Sequence, residues 1–289
     1  MKEISEDLKS KALRYAFVTV IILIALIVAI SCYRKQCRTV LNNGSSDLQN
    51  VQEKVIFDDI KIKINSDIFS YDQINNEVRE KDIISYFNKN LRKGDTVLYV
   101  SQDIGVQQLL IAKLISQSGR IYILNPFEKY NNTIELSAKS NKFEHRVFTE
   151  TVAISDKSYD GLLVFKNDES PEYGTIVSSD YALEKGYNAL KVKVTTLDEL
   201  YPNLQNINFL RISRKKDAAA AINGALRIIK HSPKIKIVLD YEKDELHNLE
   251  AVRSLKEFGF KIYAISEDGE IYPTDLNKVV GGHILLKRD

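Results

Sequence analysis

The sequence predicts an α/β protein whose main sheet is largely parallel and is covered by helices on both faces. From Thr96 onward, short apolar segments alternate with longer segments of helical periodicity, a pattern typical of parallel sheets. The last two apolar segments, Phe260–Ile265 and Ile284–Lys287, have no helical pattern between them, which predicts an antiparallel edge strand. An uncharged stretch near the N terminus predicts one membrane-spanning helix before this domain.

Composition excludes several classes of function. The 289 residues contain 41 basic and 39 acidic side chains, so there is no net attraction for nucleic acid. The cysteines, Cys32 and Cys37, lie beside the apolar N-terminal stretch, which leaves the globular part without a disulfide framework or a thiol nucleophile. No pair of histidines has metal-ligand spacing, and we expect no metal site. The histidines are His145, His231, His247 and His283.

Residues 15–33 have the properties of a single transmembrane helix. They carry no charge, and a helix of that length spans about 28 Å, close to the hydrocarbon thickness of a bilayer. Tyr15 and Tyr33 stand where an aromatic belt would place them, and Arg14 and Arg34 flank the stretch. The prediction is therefore a single-pass membrane protein that contacts the bilayer through residues 15–33.

Two alternatives to this anchor stay open. A cleaved signal peptide usually has a shorter apolar region. The letters AISC before Tyr33 resemble a lipoprotein cleavage box, although Ala29 is a poor first letter for it. Basic residues are nearly balanced on the two sides of the stretch, so the sequence does not fix the orientation.

The predicted organisation has four parts. An N-terminal tail, 1–14, precedes the anchor helix, 15–33. A juxtamembrane linker, 34–54, contains the turn-rich letters NNGSSD, and the globular domain follows at 55–289.

The first half of the domain begins with a strand or two in Val55–Ile64. Apolar residues at helical spacing then predict a helix over Asn75–Leu91, ended by Lys93-Gly94-Asp95. Continuous apolar runs and amphipathic segments predict the elements that follow: strand Thr96–Val100, helix Val106–Ser116, strand Arg120–Leu124, helix Lys129–Ser140 and strand Arg146–Ile154.

The second half begins with a region of glycine and proline, Tyr159 to Ala189, which predicts a hairpin and loop. A helix over Asp217–His231 is supported by Asp217 as a cap and by Pro233 just beyond its end. Gly224 and Ala225 in its middle suggest that it packs very close to the sheet. The remaining predicted elements are strands Leu190–Val194, Ile207–Ile212 and Ile235–Tyr241, and helix Asp244–Phe258.

An ordered set of motifs resembles the FkbM-type S-adenosylmethionine-dependent methyltransferases from about Glu77 to Lys287. The resemblance implies a Rossmann-like class I methyltransferase fold with a mostly parallel seven-stranded sheet and an antiparallel edge strand. It also implies S-adenosylmethionine as cofactor and an oxygen on a sugar or small glycan as methyl acceptor. The motifs are KGDTVLYV leading into IGVQQLLIAKL, then VAISD, KVTTLDEL, INFLRIS, INGALRIIK and IKIVLDYE.

The chain departs from the family at the positions that bind the cofactor. The first loop of the family resembles D-x-G-x-N-x-G, but this chain begins it with Tyr99 and keeps only Gly105 and, for the asparagine, Asp103. The E-P that follows the second strand is Asn125-Pro126. The K-x-D-x-E-G motif after the fourth strand reads Arg211, Ile212, Ser213, Arg214, Lys215, Lys216.

By this resemblance, the candidate cofactor-binding residues are Ser101, Asp103, Gly105, Asn125, Glu128, Ser155 and Asp156. Asp103 and Glu128 could replace the lost carboxylates, or they could simply cap or solvate the starts of helices. No side chain stands out as a catalytic base. Asp198 in TLDEL is the only family-like acid near the site, and its alternative role is turn formation.

The substitutions weaken the expected grip on a cationic donor. A carboxylate on the ribose diol makes a charge-assisted contact, and each lost contact costs on the order of 1.5–3 kcal/mol. Two or three losses would weaken binding by about 10²–10⁴-fold. The basic run Arg214–Lys216 is either an anion- or lipid-facing patch or a solvated loop.

Two functions follow as hypotheses. One is a membrane-anchored O-methyltransferase, whose domain would have to face the cytosol because S-adenosylmethionine is made there. The other is a non-catalytic binding or scaffold protein that keeps the methyltransferase fold without its cofactor contacts.

Overall fold

A computed structural model describes residues 51–65, 74–75, 78, 80–167, 174–213, 218–242, 252–253, 255–279 and 281–289. The anchor segment 15–33, the basic run 214–216 and most of the predicted helix Asp244–Phe258 lie outside these residues. Within the described part of the chain, no helix combines the length and the apolar character needed to cross a membrane.

Residues Gln52–Asp289 form one compact unit built from strands and helices in alternation. The strands are β1 Val51–Ile56, β2 Ile60–Asn65, β3 Thr96–Val100, β4 Arg120–Leu124, β5 Val147–Glu150, β6 Ala153–Ile154, β7 Tyr159–Lys166, β8 Thr175–Ser178, β9 Tyr187–Thr195, β10 Phe209–Ile212, β11 Lys236–Glu242, β12 Lys261–Ile265, β13 Ile271–Pro273 and β14 Gly281–Lys287. The helices are α1 Lys81–Asn90, α2 Val106–Leu114, α3 Glu128–Ser140, α4 Leu197–Leu200, α5 Ala218–Asn223 and α6 Leu226–Lys230, with a 3₁₀ turn at Leu276–Lys278.

The main sheet has eight strands in the order β13-β12-β14-β11-β10-β3-β4-β5. From β3 the chain builds outward through β4 to β5, and it later returns to the other side of β3 with β10 and β11, all in parallel. The junction of β3 and β10 is therefore a topological switch point. Open α/β sheets bind ligands at the carboxyl ends of their strands at such a point.

The antiparallel strand is placed differently from the expected edge of a seven-stranded sheet. β14 lies inside the sheet, antiparallel to both β11 and β12, and the edge is taken by the short antiparallel strand β13. Ile284, Leu285 and Leu286 are all fully buried, as expected for a strand that is covered on both faces. The alternation of elements predicted a mostly parallel sheet; the sheet is large and mixed, and the order of its last strands was not predicted.

The predicted third strand, Arg146–Ile154, is two strands in different sheets. β5 ends at Glu150 as the edge of the main sheet, whereas β6 joins a four-stranded sheet of order β6-β9-β7-β8. The chain passes from one sheet to the other at Thr151–Val152, which contains neither glycine nor proline, so no turn signal marks this point in the sequence.

Two apolar layers cover the main sheet, one on each face. Side chains alternate along β3, so that Val97 and Tyr99 face the layer with α1, α2 and α3. Leu98 and Val100 face the layer with α5 and α6. This period of two decides which polar side chains meet beneath α1 at the carboxyl ends of the strands.

Candidate functional site

The loop between β3 and α2, residues 101–105, is held by its own polar groups. The Ser101 amide donates to the Leu124 carbonyl oxygen at 3.0 Å, and Gln108 Nε2 donates to Ser101 Oγ at 3.1 Å. Ser101 is fully buried, and Ile104 is buried as well. The loop therefore packs tightly against β4 and α2, and the hydroxyl of Ser101 serves that packing.

Gly105 is required by the packing of two helices. Its φ of 109° lies in the left-handed region, and a Cβ at this position would stand 2.6 Å from Cγ1 of Ile134 on α3. Glycine is thus needed for the turn and for the approach of Ile134. This explains why the glycine is present without invoking a bound cofactor.

Asn125, where the resemblance predicts a ribose-binding glutamate, uses both amide atoms of its side chain in hydrogen bonds to the backbone. Its Nδ2 donates to the Asp103 carbonyl oxygen at 3.0 Å, and its Oδ1 accepts from the Phe127 amide at 3.0 Å. Asn131 Nδ2 also donates to the Asn125 carbonyl oxygen at 3.1 Å. Because Asn125 is fully buried, neither side-chain atom is turned toward solvent.

The carboxyl group of Asp103, a half-buried residue, is turned toward Tyr99 and Ser213. Its Oδ2 accepts hydrogen bonds from Tyr99 Oη at 3.0 Å and from Ser213 Oγ at 2.9 Å. Burial raises the pKa of Asp103 to about 7, although the nearby positive charge of Arg211 opposes the rise. Asp103 thus joins β3 and β10 through hydrogen bonds.

The remaining candidates lie elsewhere on this edge. Glu128 is exposed at the first residue of α3, where a carboxylate interacts favourably with the helix dipole. Ser155 and Asp156 follow β6, and the Ser155 amide donates to the Thr195 carbonyl oxygen at 2.9 Å. No hydrogen bond among the described residues joins these three to the 101–105 loop.

Asp198, the acid of TLDEL, caps a helix. Its Oδ2 accepts from the Arg227 amide at 2.7 Å, and its Oδ1 accepts from the Ile228 amide at 3.0 Å. Both amides lie in the first turn of α6, where a helix offers them no carbonyl acceptor of its own. Helix α6 begins just after Gly224, where the predicted long helix Asp217–His231 is interrupted. The role of Asp198 is therefore structural.

Asp198→Ala is expected to lower the free energy of unfolding by about 1–2 kcal/mol, because two helix amides lose their acceptors. Asp198→Asn should cost less, since it keeps one acceptor. Urea denaturation measures both, and Asp156→Ala, at an exposed position, is the control. A loss below that of the control would refute the capping role.

The structure also brings together a charged cluster that the sequence analysis did not predict. Arg211 is 1% exposed, and its Nη2 lies 2.5 Å from Asp240 Oδ1. His283, directly across from Asp240 on β14, places Nε2 3.3 Å from that oxygen and Nδ1 2.6 Å from Asp82 Oδ2. In the sequence, the only signals of this charged cluster are an arginine and an aspartate inside apolar strands.

Mutual compensation fixes the charges in this cluster. Burial opposes the positive charge of His283, but hydrogen bonds to Asp240 and Asp82 raise its pKa to about 9. Burial likewise disfavours the charged form of Asp240, yet Arg211 and His283 hold its pKa below the usual range. Burial raises the pKa of Glu80. Within the described part of the chain, no cluster of side chains has the arrangement of a metal site.

Comparison with known proteins gives structural similarity only. No protein-family model matches the sequence, and no curated protein matches it. An S-adenosylmethionine-dependent O-methyltransferase from Thermotoga maritima is 12% identical, covers 82% of this chain and 77% of its own, and has a TM-score of 0.42.

Two further solved structures are complexes with the cofactor or its product. Fibrillarin from Aeropyrum pernix, with bound S-adenosyl-L-methionine, is 9% identical over 83% of each chain, with a TM-score of 0.43. An O-methyltransferase from Bacillus cereus in complex with SAH is 12% identical over 75% of this chain and 80% of its own, with a TM-score of 0.39. These values are too low to assign an activity, so the resemblance to the FkbM family stays a prediction.

Proposed function

We propose that this chain is a methyltransferase-fold binding protein that does not catalyse methyl transfer. One observation carries the proposal: Asn125, at the position where the resemblance expects the ribose-binding glutamate, engages both amide atoms with backbone groups. A neutral, fully committed amide offers no charge-assisted contact to a ribose diol. Residues 15–33 would anchor the domain to a membrane, as the sequence predicts.

S-adenosylmethionine is the ligand to test, because the resemblance implies it at this edge of the sheet. The described residues do not fit it in this conformation. Ser101 and Ile104 are buried, and Cγ1 of Ile134 would stand 2.6 Å from a Cβ at Gly105, so the backbone there is already covered. Asp103 directs its carboxyl group toward Tyr99 and Ser213. We therefore derive no chemical step through this cofactor.

A second candidate is the membrane-anchored O-methyltransferase acting on a sugar or small glycan, with its domain in the cytosol. Glu128 is exposed one turn beyond Asn125 and could supply the missing carboxylate. In addition, two buried amide atoms near the loop, Gln102 Nε2 and Gln108 Oε1, have no hydrogen-bond partner among the described residues. Buried polar atoms of this kind favour a polar ligand.

Titration calorimetry of the full-length chain in mild detergent separates the two candidates. For the binding protein we expect S-adenosylmethionine and its demethylated product to bind about 10²–10⁴-fold more weakly than a micromolar enzyme, or not at all. Micromolar binding that is lost in Glu128→Gln and kept in Glu135→Gln would refute the proposal and support the enzyme. Glu135 lies on the same helix and is the matched control.

A further inference from the structure

A chain of hydrogen bonds joins the 101–105 loop to the start of α1. Tyr99 Oη lies 3.0 Å from Asp103 Oδ2 and 2.9 Å from Gln107 Oε1. Gln107 Nε2 in turn donates to Glu80 Oε2. Four side chains thus form a line with a carboxyl group at each end.

Counting protons shows that this line needs one more than four ordinary side chains provide. Tyr99 has a single hydroxyl proton but faces two acceptor oxygens. If Asp103 is protonated, it donates to Tyr99, which is then free to donate to Gln107. If Glu80 is protonated instead, the amide of Gln107 turns over, accepts from Glu80 and donates to Tyr99, which donates to Asp103. Either arrangement satisfies the three contacts of this line with one added proton.

The charges around the line favour holding that proton. Among the residues that the structure describes here, Arg211 and His283 are the positive groups, and the four carboxyl groups are those of Asp103, Glu80, Asp240 and Asp82. One proton reduces the excess of carboxylates over cations from two to one. Burial raises the pKa of both Asp103 and Glu80, in agreement with the proton count.

We propose that Asp103 and Glu80 share one proton through Tyr99 and Gln107, and that this proton keeps the 101–105 loop closed. An open loop would place Asp103 in water, where it releases the proton to solvent. Because closure raises the pKa of Asp103, low pH favours the closed loop, and the preference is lost as the pH rises through about 7. That the loop guards a ligand rests on the proposed function; the shared proton does not.

Carbon-13 NMR of labelled Asp and Glu carboxyl groups tests the shared proton in the full chain. We expect the resonances of Asp103 and Glu80 to shift together over one range near pH 7, since each holds the proton part of the time. Tyr99→Phe keeps the burial but removes the hydroxyl, and it should separate the two midpoints. Tyr86→Phe, at a buried tyrosine on α1, should leave them together. Separate midpoints in the unmodified protein would overturn the proposal.

Hydrogen exchange of the loop amides tests the closure. After correction for the intrinsic rate, we expect opening to increase about tenfold per pH unit between about pH 4, near the ordinary pKa of an aspartate, and about pH 7, and to level off above it. Asp103→Asn should remove the dependence of opening on pH. If opening in the unmodified protein did not depend on pH, the proposal that the shared proton keeps the loop closed would be overturned. If opening depends on pH but calorimetry detects no ligand, the proton-dependent closure is supported and only the binding of that ligand is refuted. If a ligand binds but opening does not depend on pH, only the proton-dependent closure is refuted.

Discussion

Replacement of Arg211 by methionine is expected to lower the free energy of unfolding by about 3–5 kcal/mol. The guanidinium is almost completely buried and pairs with Asp240 at 2.5 Å. Removing it leaves the Asp240 carboxylate in the interior with His283 as its one cationic partner among the described residues. Methionine fills similar space, so the loss reports the uncompensated charge more than a cavity. Equilibrium denaturation in urea gives the value.

An exposed ion pair is the matched control for Arg211. Lys89 and Glu270 also lie 2.5 Å apart, but their side chains are 46% and 55% exposed. Lys89→Met should therefore cost less than about 1 kcal/mol. Adding Asp240→Asn to Arg211→Met should recover part of the loss, because it removes the unpaired charge. If Arg211→Met cost no more than the control, the buried pair would not contribute to stability as described.

Gly224→Ala is expected to lower the free energy of unfolding by about 3 kcal/mol, at the upper end of the range for overpacking. A Cβ at Gly224 would overlap the carbonyl oxygen of Ser155 and would stand 3.2 Å from the Thr196 Cβ. The first obstacle is backbone, which cannot move aside by changing a rotamer.

The neighbouring substitution Asn223→Ala controls for the change in helix composition, since Asn223 is exposed on α5. It should alter the unfolding free energy by less than about 0.5 kcal/mol. Thermal and urea unfolding of both variants give the comparison. Equal stabilities would show that the backbone at Gly224 yields readily, contrary to the close contact.

The motifs of this chain that most resemble the FkbM family stabilise the fold through helix caps and backbone contacts. Thr196 Oγ1 accepts from the Glu199 amide at 3.0 Å and caps α4. Asp198 caps α6, and the Asp198 amide donates to the Gly224 carbonyl oxygen at 2.9 Å. The TLDEL segment and the Gly224-Ala225 pair are therefore in direct contact and stabilise each other. Their presence in the sequence supports the fold and does not by itself indicate catalysis.

The sequence predicted where the strands beside the candidate site end, but not the contacts of the candidate side chains. The strand ends at Val100 and Leu124 were predicted correctly, and they bring Ser101, Asp103 and Asn125 together. The sequence does not say toward which neighbour each side chain turns. Hydrogen bonds from Tyr99 and Ser213 direct Asp103 inward, and those partners come from two strands far apart in the chain.

The sequence by itself determined the elements whose apolar runs are continuous. Thr96–Val100 and Arg120–Leu124 form strands with the predicted bounds, because central strands of a covered sheet are apolar on both faces. Two predictions of continuous elements were wrong. The helix predicted over Asp217–His231 is interrupted at Gly224, where the chain makes a close tertiary contact. The strand predicted over Arg146–Ile154 is interrupted where the chain passes into a second sheet.

Only the tertiary structure decided the order of the sheet and the charged cluster beneath α1. Arg211, Asp240 and His283 meet because β10, β11 and β14 are neighbours in one register. Strand order and register depend on contacts between residues distant in sequence, which local periodicity does not encode. The same contacts decide whether a buried charge is compensated, as that of Asp240 is by Arg211 and His283.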